Sequence, residues 1–322
     1  MKAASRTRSS VAAVLRRALA TLGLPELILC SFQVFVLTAL LFREATDELN
    51  RKLLILLGLF VIYVLQAQLL RARPGERRPH VRRAARRLTT LIFVLLTYFQ
   101  LRWIIPALHP GSFDSALAEI DLAIFHAPVA ALLQPYLDYA TVEWFGFFYW
   151  SYFYVIGGYT IAHCIFERNE ERFAGYGTGI VAVHAWGGWL GYFLLPGFGP
   201  YVHHAASLEP LEGGTFLAMS GTAYSWGALR DIFPSLHTAV MSFITIHAFR
   251  RWGVHWLYKP VAILYLFWTL QIVIATLYLR WHYTVDLAAG LTVAFVWGLA
   301  SDGLARRWGE FRKAQGELDP WF

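Results

Sequence analysis

"LLILLGLFVIYVLQAQLL" (residues 53–70) carries no charge over eighteen residues. Wound as an α-helix it rises about 27 Å, close to the thickness of a bilayer's hydrocarbon core. Apolar side chains would cover every side of such a helix, an arrangement that suits lipid rather than water. Blocks of the same kind recur at 24–42, 88–108, 142–165, 174–196, 234–249, 261–280 and 284–302. The fold expected is therefore an all-α polytopic transmembrane bundle of about eight spans. Composition agrees, with 57% of the 322 residues hydrophobic and 15% charged. A cytoplasmic segment 1–23, a membrane domain 24–305 and a cytoplasmic tail 306–322 complete the expected organisation.

The formal net charge of +7 would suit a nucleic-acid partner, but its placement fits membrane topology instead. With the N-terminus inside, 22 of the 28 lysines and arginines fall on cytoplasmic segments, eight of them in "RARPGERRPHVRRAARR" (71–87). Arg43, Arg51, Lys52, Arg102, Arg230 and Arg280 remain for the other side. Basic residues collect on cytoplasmic loops, so both termini are read as cytoplasmic and nucleic acid is set aside. "ALA" at 18–20 precedes the first apolar block instead of following it, so that block is expected to stay attached. Ser10 to Ala20 is either a basic amphipathic helix on the inner surface or an unstructured tail. Cys30 and Cys164 fall inside spans without metal-type spacing and read as packing residues. Twenty-four arginines against four lysines suggest a GC-rich genome, and hence a bacterial inner membrane.

Two stretches on the outer side are too long for plain turns. "PGSFDSALAEIDLAIFHAPVAALLQPYLDYA" (110–140) has short apolar runs broken by Asp114, Glu119, Asp121 and Asp138, with Pro128 and Pro135 preventing one continuous helix. It reads as interfacial amphipathic helices. The second, 197–231, is rich in glycine and polar residues and leads into "DIFPSLHTAV" (231–240). There Asp231 suits an N-cap and Pro234 the first turn, which would put Ser235 and His237 at the positive end of the helix.

In "YLRWHYTVDLAAG" (278–290), His282 and Asp286 are four residues apart, one helical turn if the last span begins near His282. The carboxylate can then hold one ring nitrogen and leave the other as nucleophile or base. With the expected topology His237 and His282 lie at the same membrane depth. Single histidines near helix ends are ordinarily interfacial residues bonded to neighbours. Ionisable groups at a membrane edge are nonetheless rare, and the combined set points to function.

"PSLH" (234–237) with "HYTVD" (282–286) resembles the second and third motifs of the type 2 phosphatidic acid phosphatase superfamily. The longer matches "FPSLHTA" and "YLRWHYTVDLAAG", with "FDSALAEIDLAIF" upstream, resemble most its branch containing the inositol phosphorylceramide synthases. The resemblance covers about residues 100–302. It implies that His282 attacks phosphorus and becomes phosphohistidine, that Asp286 orients it, and that His237 protonates the leaving oxygen. Ser235 and the helix N-terminus would hold phosphoryl oxygens, as phosphoryl transfer requires positioning and stabilisation of oxygen charge. No cofactor and no metal are implied.

Two departures from the superfamily pattern stand out. Its first motif, Lys-x6-Arg-Pro, falls where this chain has "YFLLPGFGPYVHH", and the arginine six residues before the third-motif histidine is here Thr276. Substitute clamps are sought in Arg280, Arg230 and Arg102, with Tyr201 as a further contact. Arg102 could instead pair with Glu143 or snorkel to the surface. His203, His204, His237, His282 and Asp286 together would allow a zinc reading, which adjacent histidines disfavour. His184 reads as a buried, hydrogen-bonded residue. The function implied is a lipid phosphotransferase taking a phospholipid or polyprenyl-phosphate donor and an alcohol acceptor at the extracytoplasmic face. A lipid phosphate phosphatase is the alternative. A transporter would need paired ionisable residues at midplane on several spans, which this chain lacks.

Overall fold

The computed structural model describes residues 11, 13–44, 46–71, 79–317 and 319. Lys2, Arg6, Arg8 and Ser10 of the cytoplasmic segment, 72–78 of the arginine run, and 318 and 320–322 of the tail lie outside the described residues. Regular structure among the described residues is helical: residues 13–20 wind as helix, and thirteen further helices follow. They are α1 (Leu24–Leu41), α2 (Asp47–Leu69), α3 (Pro79–Leu108), α4 (Asp114–Phe125), α5 (Val129–Leu133), α6 (Tyr139–Phe166), α7 (Glu170–Ala182), α8 (Leu190–Leu194), α9 (Pro200–His203), α10 (Thr215–Trp226), α11 (Leu236–Arg250), α12 (Tyr258–Tyr278) and α13 (Thr284–Ala314). A 3-10 turn, Gln134–Tyr136, extends α5, and a π-helical turn, Val183–Trp189, joins α7 to α8. One isolated bridge pairs Gly197 with Asp231.

Every expected span is a helix, but not every one is long and apolar enough to cross a bilayer. Five qualify, α1, α2, α3, α12 and α13, and a sixth if the bent pair Asp114–Phe125 and Val129–Tyr136 counts as one span. By length and composition five or six helices qualify, against the about eight spans expected, and the all-α polytopic bundle stands. The three that fall short have separate reasons. Tyrosine and tryptophan lower the hydropathy of α6, the π turn interrupts the segment after α7, and α11 has fifteen residues, about 22 Å of rise.

Local sequence fixes where several helices begin. Glu26 Oε2 accepts the Gly23 N–H at 2.9 Å to open α1, and Thr46 Oγ1 accepts the Leu49 N–H at 3.1 Å to open α2. Asp138 Oδ1 takes the Thr141 N–H at 2.8 Å at the start of α6.

By internal packing the chain divides into two units, Met1–Val94 with Ile161–Val181 and Leu299–Phe322, and Leu95–Thr160 with Ala182–Gly298. The first is threaded with ion pairs. Arg86 meets Glu26 at 2.5 Å with both side chains almost fully enclosed, and Arg87 meets Glu170 at 2.5 Å while lying over the Phe173 ring. Arg83 bridges Glu170 and Asp319, Arg71 holds Glu317, and the buried Arg312 donates to the Ala20 carbonyl. Part of the arginine run, read from sequence only as a marker of the cytoplasmic side, therefore serves as internal counter-charge.

Candidate active site

All the residues of the candidate site belong to the second unit. The helix carrying His237 starts four residues later than an N-cap at Asp231 would put it. Ser235, not Asp231, is the N-cap: its backbone is extended and its Oγ accepts the Thr238 N–H at 3.3 Å. Pro234 precedes the helix, and Asp231 lies upstream in the Gly197 bridge.

The helix α12 ends in a turn that delivers His282. Arg280 takes a left-handed backbone with φ 65, and the Thr276 carbonyl accepts both the Trp281 and His282 N–H groups at 2.9 and 3.1 Å. Thr276, which stands at the superfamily's arginine position, is itself buried and bonded to the Val273 carbonyl. Although α13 begins at Thr284 and not at His282, the one-turn spacing survives: His282 Nδ1 lies 3.3 Å from Asp286 Oδ2. The same oxygen accepts the Tyr283 N–H at 2.9 Å. A carboxylate can only accept, so the proton resides on Nδ1 and the Nε2 lone pair is left for chemistry.

The two motif segments are joined through backbone. The Ser235 N–H donates to the Asp286 carbonyl at 3.0 Å, and the His237 and His282 rings stand 5.8 Å apart, edge to face. His237 stacks on Tyr149 with centroids 4.4 Å apart and touches Tyr152 at 4.3 Å. Its buried Nε2 and Asp286 Oδ1 have no hydrogen-bond partner among the described residues. Both histidines line a narrow cleft walled by Tyr98, Tyr149, Phe153, Tyr224, Trp281 and Asp231. His282 also borders a second cleft beside Asp121, His204 and Tyr283.

The remaining sequence candidates lie around this cleft and do not line it. Arg280 donates to the Glu209 carbonyl at 2.7 Å and to Gln134 Oε1 at 2.5 Å, and burial lowers its affinity for a proton. Arg230 donates to the carbonyls of His109, Pro110 and Gly111. Arg102 donates to the Ser225 and Gly227 carbonyls. The pairing of Arg102 with Glu143 that the sequence allowed is not formed, because Glu143 accepts the N–H groups of Gly214, Phe216 and Leu217. The two charges thus sit at opposite ends of α10, acid at its start and base at its end, as the helix dipole favours. Tyr201 packs at a tilt against Trp281, ring centroids 4.8 Å apart, and gives its N–H to the Arg280 carbonyl. His184 lies in the π turn, edge-on to Trp189, and His203 stands edge-on to His204.

Three acids the sequence placed elsewhere frame the site. Asp114 accepts the Phe198 and Gly199 N–H groups, each at 2.8 Å, and the Tyr283 hydroxyl at 3.1 Å. Asp121 accepts the Thr284 N–H at 3.0 and 3.1 Å. Both are buried, so this face of α4 braces the 198–199 loop and the start of α13 while its other side is exposed. Their spacing of seven residues, two helical turns on one face, was the available signal. Asp231 is the third, held by the Tyr98 hydroxyl at 2.7 Å. Burial pushes its carboxyl upward, against the pull of Tyr98 and of His282. Burial likewise raises the Tyr283 phenol.

No curated protein and no solved structure matches the chain at a significant level. A family model described as the PAP2 superfamily does match, over residues 115–300, which includes both histidines, Asp286, α4 after Asp114 and the cleft walls from Tyr149 onward. With more than half of its length so matched, the chain belongs to the PAP2 superfamily, a membership that points to lipid phosphatase or phosphotransferase activity.

Proposed function

We propose that this membrane protein is a lipid phosphotransferase working through a phosphohistidine at His282. The observation that carries the reading is the pairing of His282, backed by Asp286 at 3.3 Å, with a second imidazole 5.8 Å away at the wall of one cleft. In the first step the Nε2 lone pair attacks phosphorus and His237 delivers a proton to the departing oxygen. In the second, His237 takes the proton of an acceptor alcohol as its oxygen displaces the imidazole. Asp286 neutralises the positive ring formed at attack. Ser235 and the α11 N-terminus would meet phosphoryl oxygens, with Arg280, Arg230, Arg102 and Tyr201 as outlying contributors. The donor would be a phospholipid or polyprenyl phosphate, and the site would open at the extracytoplasmic face of a bacterial inner membrane with both termini inside.

The test uses purified protein in lipid with labelled phosphatidylinositol, phosphatidic acid and polyprenyl pyrophosphate, scoring free phosphate and new lipid products. New phospho-products that depend on an added alcohol support transfer, and inorganic phosphate alone makes the protein a lipid phosphate phosphatase instead. Turnover is expected to persist after exhaustive chelation. Loss on EDTA treatment restored by zinc or magnesium would overturn the metal-free mechanism.

A further inference from the structure

The walls of the His237–His282 cleft are aromatic or apolar apart from the two imidazoles and Asp231, and no lysine or arginine is among them. The three arginines nearest in sequence are each bonded to backbone carbonyls, Arg280 also to Gln134. A carboxylate in such a place is hard to reconcile with a second anionic group. Like charges repel strongly where no counter-ion lies between, unless a proton is shared. Tyr98 fixes one oxygen of Asp231 at 2.7 Å, so the carboxylate is held against the wall. A hydroxyl from a bound molecule resolves the conflict, since it donates to the carboxylate and keeps negative phosphoryl oxygens apart from it. Tyr224, Trp281 and Tyr149, packed on one another at 4.8 and 5.6 Å, give the same molecule aromatic walls for its carbon skeleton.

We infer that Asp231, fixed by Tyr98, is an acceptor-binding residue that selects an alcohol carrying a second hydroxyl beside the attacking one, over a simple alcohol or water. The inference rests on the phosphohistidine reading above and adds an acceptor class to it. In the step concerned, the attacking oxygen forms the new P–O bond and the P–Nε2 bond breaks, its electron pair returning to the imidazole. The attacking hydroxyl's proton passes to His237. The neighbouring hydroxyl keeps its own proton and donates it as a hydrogen bond to Asp231.

The full chain in phospholipid vesicles is given 32P-labelled phosphatidic acid or phosphatidylinositol in parallel, with glycerol or 1-propanol in the buffer. The ratio of alcohol-bearing product to water product compares two fates of one intermediate, so it does not depend on how much protein is folded. Wild-type protein is expected to favour glycerol over 1-propanol. Asp231→Ala is expected to lower that preference by about tenfold to a hundredfold, the scale of one hydrogen bond to a charged group. Asp231→Asn and Tyr98→Phe, which keep the cleft's shape, should move it in the same direction by less. A glycerol preference that is absent in wild type, or unchanged in all three variants while His282 still takes label, overturns the inference alone. Wild-type protein that leaves no label on His282 with either donor overturns the phosphohistidine reading, and this inference falls with it.

Discussion

Asp286 Oδ2 accepts two donors, His282 Nδ1–H and the Tyr283 N–H, so both the tautomer and the tilt of the ring are set from behind. Asp286→Asn retains the shape but offers an amide that also donates, and turnover should fall by about 10²-fold to 10⁴-fold. His282→Ala should abolish turnover and phosphoenzyme together, since it removes the imidazole that Asp286 backs. His237→Ala differs: with an activated aryl phosphate the first step needs little acid help, and an acid-labile, base-stable phosphohistidine should accumulate. These outcomes are read by 32P labelling and quench, and near-native turnover of His282→Ala would reassign the nucleophile. The histidines and Asp286 were legible because their spacing survives a two-residue shift in where the helix begins. Asp231 was not, because an acid three residues before a Pro-Ser pair looks like a cap. What makes it a cleft residue is Tyr98, 133 positions away, which no local pattern announces.

At the level of elements, α10 is held at both ends by side chains from other helices. Glu143 on α6 supplies acceptors for three N–H groups at its start, and Arg102 on α3 covers carbonyls at its end. Ala223 and Tyr224 of α10 form one wall of the cleft. Glu143→Ala should therefore loosen that wall at a cost of about 1 kcal/mol in local stability. Limited proteolysis is expected to open the 207–227 stretch first, with the Michaelis constant rising more than the turnover number falls. Equal protease resistance of variant and wild type would count against the clamp. Helix positions were readable from apolar blocks alone, which is why each expected span is a helix. The role of α4 was not, since Asp114 and Asp121 break its apolar runs in sequence, and only the backbone amides of Phe198, Gly199 and Thr284 show what they are for.

For the molecule as a whole, charge is sorted twice, once along the chain and once inside the first unit. The bias of arginines predicts sidedness. A Cys-free variant with Ser207→Cys should react with an impermeant thiol reagent added outside sealed cells, and one with Val81→Cys should not. Reversal of the two would invert the topology and with it the face on which the cleft opens. Within the first unit, Glu26 and Arg86 are 0% and 2% exposed. Glu26→Gln would strand a buried guanidinium, a loss of about 3–5 kcal/mol. Thermal unfolding in detergent should show a clear drop, and an unchanged midpoint would mean that water reaches the pair. Hydropathy revealed that the chain is a membrane bundle, but not how many helices qualify as spans, because aromatic content and a π turn dilute two of them.

Gly290 lies where α13 crosses the start of α11, and a Cβ there would stand 2.6 Å from the Ser235 carbonyl oxygen and 3.2 Å from Thr238 Cβ. Backbone oxygen cannot swing aside, so the missing side chain acts as a gauge for the gap between nucleophile and acid. Neither histidine sets that gap itself. Gly290→Ala should leave His282 held by Asp286 while moving His237 away from them. Such a protein is expected to take label slowly from lipid donors yet normally from an activated phosphate, uncoupling the two imidazoles without altering either.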